Sequence, residues 1–237
     1  MSSIFYPANE RGHVQFDWLD TYHSFSFGQY HDPSKIHFGA LRVLNDDKVD
    51  AGMGFGTHPH DNMEIITIPL FGDLHHRDST GRDCIIKEHD VQIMSAGSGI
   101  QHSEVNPNKD KRVELFQIWI FPDKENLEPR YATINYSWEN AKNNFLPLVS
   151  PKKENKGAWI HQNAWIHIIK IEKAQTATYT IKNKDNGVYI MLINGFIEID
   201  NKKMKDRDAI GIWETESVNI LSELDSQLLL IEVPMKY

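Results

Sequence analysis

GFGTHPHDNMEII, residues 54–66, sets two histidines on either side of a proline, between glycines and a β-branched apolar run. In an extended strand, residues i and i+2 share a face, so His58 and His60 project together. Pro59 favours an extended His58, because its ring clashes with a helical predecessor. Glu64 lies four residues past His60, about 13 Å further along an extended chain, and reaches the same point only if the chain bends through Asp61 and Asn62. Further on, GSGIQHSEVNP (97–107) repeats the spacing, with His102 and Glu104 again at i and i+2. Two such pairs on facing strands would bring three imidazoles and one carboxylate to a point. That donor set suits Fe(II), and also Mn, Co, Ni or Zn, and leaves open positions for water, substrate or dioxygen. A lone H-x-H means little in a chain with 12 histidines. His75 and His76 are read as chance neighbours, pointing to opposite faces of a strand; the second pair is what gives the first its weight.

Around these pairs, short β-rich runs dominate, each bounded by Gly, Asn, Asp or Pro: HFGALRVL (37–44), ELFQIWIFP (114–122), AWIHIIKIE (164–172), GVYIMLIN (187–194) and QLLLIEV (227–233) among them. Strands this closely spaced predict an all-β sandwich or barrel rather than βαβ units. SWENAKNNF (137–145) reads as a short helix. The charged SPKKENKG (150–157) is the best boundary. On either side of it the order strand, glycine turn, strand, acidic turn, strand recurs, through Gly72 and Asp90 and then Gly195 and Asp208. The expectation is two related barrels, a metal-binding one over 1–150 and one without a metal motif over 151–237. The start of the chain is a candidate to pair with the second.

The chain of 237 residues, with 40% hydrophobic and 24% charged residues, has an ordinary globular composition. Its formal charge of −8 argues against direct nucleic-acid binding, which needs a basic face. No signal-peptide pattern and no span of about 20 apolar residues is visible. The lone Cys84 excludes an internal disulfide and is read as a buried thiol. These features fit a cytoplasmic protein without membrane contact, and two barrels able to satisfy each other fit a monomer. His161 and His167 lack a carboxylate pair and are read as core or surface residues. Phe25, Phe27, Trp119 and Phe121 are read as core, with a pocket wall as the alternative. Asp78, Ser79 and Thr80 are read as a turn.

Gly52-x5-His58-x-His60-x3-Glu64, followed by Gly72, resembles the first cupin motif. Gly99-x2-His102-x3-Asn106 resembles the second, with Gly97 where that motif usually has proline. More narrowly, HSFSFGQYHDP (23–33), FGALRVLNDD (38–47), GFGTHPHDNMEIIT (54–67), LHHRDSTG (74–81) and VQIMSAGSGIQHSEVNP (91–107) resemble the pirin family of bicupins. The resemblance implies two jelly-roll β-barrels with a few short helices. It also implies metal ligation by His58, His60, His102 and Glu104 rather than by Glu64. Geometry leans the same way, since Glu104 needs no bend; Glu64 is then expected to orient a histidine or water.

Two functions from different classes follow. Bacterial pirin-like proteins are associated with quercetin 2,3-dioxygenase activity, which implies one divalent transition metal, Fe(II) first, with Ni, Co, Mn or Zn also accepted. The partners would be an enolic aromatic substrate and O2, with Glu104 as the catalytic base toward the substrate hydroxyl. The alternative is a non-enzymatic, redox-sensing co-regulator in which the charge on iron alters a surface that binds a protein partner.

Overall fold

The computed structural model describes residues 1–154 and 156–236; Asn155, inside the charged segment, lies outside them. The chain is all-β, with no α-helix among the described residues. The stretch expected to be helical forms one 3-10 turn, Trp138–Ala141, capped by the Ser137 hydroxyl, and Ala8–Glu10 forms another. No described helix is long and apolar enough to cross a membrane.

Four sheets make two barrels of the same plan. In the first, a seven-stranded sheet runs in the order Arg130–Asn135, Asp90–Ser95, Glu64–Phe71, Val113–Ile120, Leu41–Val49, Leu19–His23, Gly12–Gln15. It faces a four-stranded sheet of Gly54–His60, Ile100–Val105, Leu74–Asp78 and Asp83–Ile86. In the second, the seven strands are Ser2–Tyr6, Ala209–Trp213, Asn186–Asn194, Ser226–Pro234, Trp165–Ile171, Leu146–Pro151 and Ala158–Ile160. Its four-stranded partner holds Thr176–Thr180, Ser217–Ser222, Phe196–Ile199 and Lys202–Lys205. The first strand of the chain thus completes the second barrel, pairing Ser2 with Trp213 through Tyr6 with Ala209. The passage between barrels falls at residues 136–145, upstream of the charged segment, because Leu146–Pro151 already belongs to the second sheet.

Strand alternation explains how the barrels join. Along Val113–Ile120, Phe116, Ile118 and Ile120 enter one large apolar cluster, whereas Leu115, Gln117 and Trp119 turn the other way, into the first barrel. Along Ser226–Pro234, Leu229, Ile231 and Val233 enter the same cluster, whereas Leu228 and Leu230 fill the second barrel. The two seven-stranded sheets therefore pack back to back, and their central strands are buried on both faces. Tyr189, fully buried, sits in this seam against Tyr6, Phe25 and Phe38 at ring-centroid distances of 5.3, 5.6 and 5.9 Å. An ionic tie crosses beside it: Arg207 of the second barrel donates to Asp46 of the first at 2.8 Å, and Arg11 donates to the same carboxylate at 3.2 Å.

The second barrel is filled by its own aliphatic cluster, beside which Glu232 is fully buried. Its carboxylate accepts from Tyr179 Oη at 2.9 Å, Asn186 Nδ2 at 2.8 Å, and the backbone N–H groups of Lys182 and Asn183. His167, pushed down to about 3 by burial, lies beside Tyr179 and is neutral.

Gly97 occupies the motif position where proline is usual, and the backbone shows why proline does not fit. Its φ is +50°, the left-handed region, and a Cβ there would lie 2.0 Å from the Leu127 carbonyl oxygen. Proline requires φ near −65°. Gly97→Ala is expected to lower stability by about 2 kcal/mol or more, read as a fall in the denaturant midpoint; an unchanged midpoint would contradict this account of the turn.

Candidate metal centre

His58 and His60 lie on the last turn of pleat in Gly54–His60, and His102 and Glu104 on Ile100–Val105. The strands are hydrogen-bonded neighbours in one sheet, not facing strands, and His58 pairs directly with His102. A register shift between His102 and Glu104 moves Glu104 opposite Phe55. The alternation Ile100, His102, Glu104 stays on the buried face throughout.

The nitrogens of His58, His60 and His102 lie within 4.8 Å of one another. His58 Nδ1 donates to the Gly56 carbonyl at 2.8 Å, which leaves the lone pair on Nε2. That Nε2 lies 3.0 Å from His102 Nε2. Two nitrogens bound to one ion at about 2.1 Å stand about 3.0–3.4 Å apart at octahedral to tetrahedral angles. His60 Nε2 is buried and has no hydrogen-bond partner among the described residues. An orphaned buried nitrogen is costly, and a cation at the three rings removes that cost. Burial and then the neighbouring imidazoles push His60 down to about 4 and His102 to about 3, so both rings are neutral near pH 7, as metal ligation requires. The residues fit a divalent transition ion.

Glu104, 2% exposed, belongs to an overlapping cluster with His76 and His102, again within 4.8 Å. Gln117 Nε2 donates to its Oε2 at 2.7 Å and Thr67 Oγ1 reaches its Oε1 at 3.3 Å; Trp119 Nε1 in turn donates to Gln117 Oε1 at 3.1 Å. The chain of donors fixes both the carboxylate and the amide that holds it. A cavity of about 210 Å³ opens onto His58, His60 and Glu104, walled by Phe27, Phe55 and Trp119 and floored by Thr21, Asn45 and Asp47. The Trp119 ring stands edge-on to His60 at 4.8 Å and to Phe27 at 5.2 Å. Asp47 accepts the Thr21 hydroxyl, and burial, opposed by that bond, pushes its carboxyl up to about 7.

Two family descriptions match the chain, Pirin over residues 6–120 and the quercetinase C-terminal cupin domain over 147–233. The chain is 39% identical over 227 residues to the quercetin 2,3-dioxygenase of Escherichia coli K12, covering 96% of each. It is 33% identical to a pirin-like protein of Caulobacter vibrioides, covering 95% of this chain and 97% of the relative. The chain belongs to the pirin family. Its structure superposes on YhhW from Escherichia coli with a TM-score of 0.93 at 37% identity, over 98% of both chains. On the bacterial pirin YhhW in complex with nickel(II) the TM-score is 0.92 at 36% identity, over 98% of this chain and 99% of that one.

In this pirin, Glu64 does not orient a histidine of the site. Asn62 turns through the left-handed region, with φ of +46°, and the following strand enters the large sheet with Thr67 facing Glu104 inside the barrel and Glu64 facing the seam. There Glu64 accepts from Ser95 Oγ at 2.7 Å, and burial, opposed by that bond and by a backbone donor from His161, pushes it up to about 7. His161 therefore belongs to the seam between the barrels. Cys84 is only partly buried, with Sγ 3.0 Å from Tyr131 Oη.

His76, which the sequence offers only as half of a chance doublet, is fully buried against His102, with ring centroids 5.4 Å apart. Its Nε2 donates to Asp78 at 3.0 Å and its Nδ1 faces the Gln92 amide nitrogen at 3.3 Å. Burial raises the Asp78 carboxyl, but hydrogen bonds from Thr80, His76 and the backbone together bring it below its ordinary value, so it is the acceptor. Both ring nitrogens of His76 are then engaged, which suits it to buttress His102 rather than to ligate. Alternation Leu74, His76, Asp78 was the available signal. Protein purified without a metal-binding tag is expected to carry close to one equivalent of divalent transition metal by elemental analysis. His60→Ala should lower this at least tenfold while Glu64→Gln leaves it unchanged; the opposite pattern would return Glu64 to the site.

Proposed function

We propose that this pirin is a metal-dependent dioxygenase of flavonols or similar enolic aromatics, with one divalent transition ion held by His58, His60, His102 and Glu104. The observation that carries the reading is the aromatic-walled cavity opening directly onto His58, His60 and the positioned Glu104 carboxylate, with His102 against His58 behind them. The similarity to quercetin 2,3-dioxygenase along nearly the whole chain supports the substrate class, and the nickel(II) complex of a bacterial pirin supports nickel beside Fe(II) as an occupant. When bound, the ion supplies a Lewis acid and an electron path between an enolate and dioxygen.

The protein's own groups supply the remainder. Phe27, Phe55 and Trp119 hold a flat ring and exclude water from it. Glu104 is the base that takes the proton of the enol hydroxyl, and Gln117 and Thr67 keep its oxygens aimed at that task. Trp119, donating to Gln117, ties the wall of the cavity to the base.

Reconstituted with Fe(II) or Ni(II), the protein is expected to consume one O2 per quercetin lost, measured by oxygen electrode and flavonol absorbance together. Glu104→Gln should lower kcat by about 10²-fold or more, the range typical of a lost general base. Metal-loaded protein that leaves quercetin and related enols untouched would end the dioxygenase reading.

A further inference from the structure

Leu41–Val49 carries two consecutive carboxylates. Asp46 faces the seam, where Arg11 and Arg207 hold it. Asp47 faces the cavity, is 4% exposed, and has no cation beside it. Its Oδ1 takes the Thr21 hydroxyl, and no donor among the described residues is bonded to its Oδ2. Asn45, two residues back on the same face, lines the same cavity and uses Oδ1 for His23 Nδ1 at 2.8 Å. A buried carboxylate is expensive unless something donates to it. The reaction proposed above employs Glu104 and leaves Asp47 unexplained.

Register places Asp47 relative to the base. Asn45 pairs with Gln117, the residue that holds Glu104, and Asp47 pairs with Leu115. Asp47 therefore sits one same-face step, about 7 Å, beyond the Gln117 level, toward the apolar end formed by Leu19 and Leu115. A flat substrate with its enol at Glu104 and its faces against Trp119 and Phe55 presents the far side of its ring system there.

We propose that Asp47, with the Asn45 amide beside it, is the specificity-determining contact of the cavity. It accepts a hydrogen bond from a second hydroxyl on the substrate, on the part of the ring system remote from the enol. The class taken is thus a polyhydroxylated enolic aromatic rather than a simple enol. This rests on reading the cavity as the substrate site, but not on turnover.

The test is equilibrium binding to the metal-loaded protein under anaerobic conditions, read by quenching of tryptophan fluorescence, Trp119 being in the cavity wall. The probes are quercetin and 3-hydroxyflavone, which keeps the enol and adjacent carbonyl but lacks the other hydroxyls. The unaltered protein is expected to prefer quercetin by about tenfold or more, the worth of a charge-assisted hydrogen bond. Asp47→Ala should bring the two dissociation constants within about threefold by weakening quercetin alone. Asp47→Asn keeps the shape and the Thr21 bond, should retain an intermediate preference, and serves if the alanine variant does not fold. No preference in the unaltered protein overturns the proposal, as does a variant that weakens both probes equally or keeps the full preference. A preference that depends on Asp47 in a protein that consumes no O2 supports this assignment and removes the dioxygenase reading alone.

Discussion

Two sheets whose outer faces carry Phe116, Ile118, Leu229 and Ile231 would each expose a large apolar surface if alone, and packing back to back removes both surfaces from water at once. Each large aliphatic side chain so buried contributes about 1.5–3 kcal/mol. With the seam and the aliphatic second barrel as apolar cores, the interior of the first barrel can be polar. Thr21, His23, Asn45, Asp47, Thr67, His76, Gln92, Glu104 and the other buried polar groups there would destabilise a lone barrel unless paired. Most are paired with one another: Thr21 with Asp47, His23 with Asn45, Gln92 with His76, Gln117 and Thr67 with Glu104.

Because the barrels share a plan, the second shows what the first gave up to gain a site. The strand equivalent to Gly54–His60 is Thr176–Thr180, and that equivalent to Ile100–Val105 is Ser217–Ser222. Where the first barrel places His58 opposite His102, the second places Ala177 opposite Ile220 and Tyr179 opposite Val218. Those side chains join an apolar core. One fold thus holds chemistry in one copy and apolar packing in the other, and the difference lies in a few inward-facing positions.

Parity along single strands was legible: His58 with His60, His102 with Glu104, and the all-β repeat through Gly72 and Gly195 all follow from period two and turn chemistry. What parity could not supply was which face of a sheet looks inward once the chain has turned. Asn62 is an ordinary polar residue in the sequence, but its left-handed φ reorients the next strand and sends Glu64 to the seam. His76 is hidden for the same reason in reverse, since without a register its neighbour His75 is equally eligible; in the structure His75 points out to Asp83 at 2.6 Å. Among the aromatics, Phe25 went to the seam while Phe27 and Trp119 became cavity wall, a division set by tertiary contacts that no local pattern encodes.

Charge provides an independent argument about the cavity. Its lining includes two carboxylates, Asp47 and Glu104, and neither lysine nor arginine. The seam behind it adds a third, Asp46, and the mutual repulsion of these groups is part of what raises Asp47. Arg11 and Arg207 neutralise Asp46 from the other face of the sheet, but their charge is spent there. His60 in the lining and His102 behind it are neutral near pH 7 and do not offset the rest. In a low-dielectric interior, two uncompensated carboxylates call for positive charge, and a divalent ion at three lone-pair nitrogens supplies it at the place where the geometry already favours one.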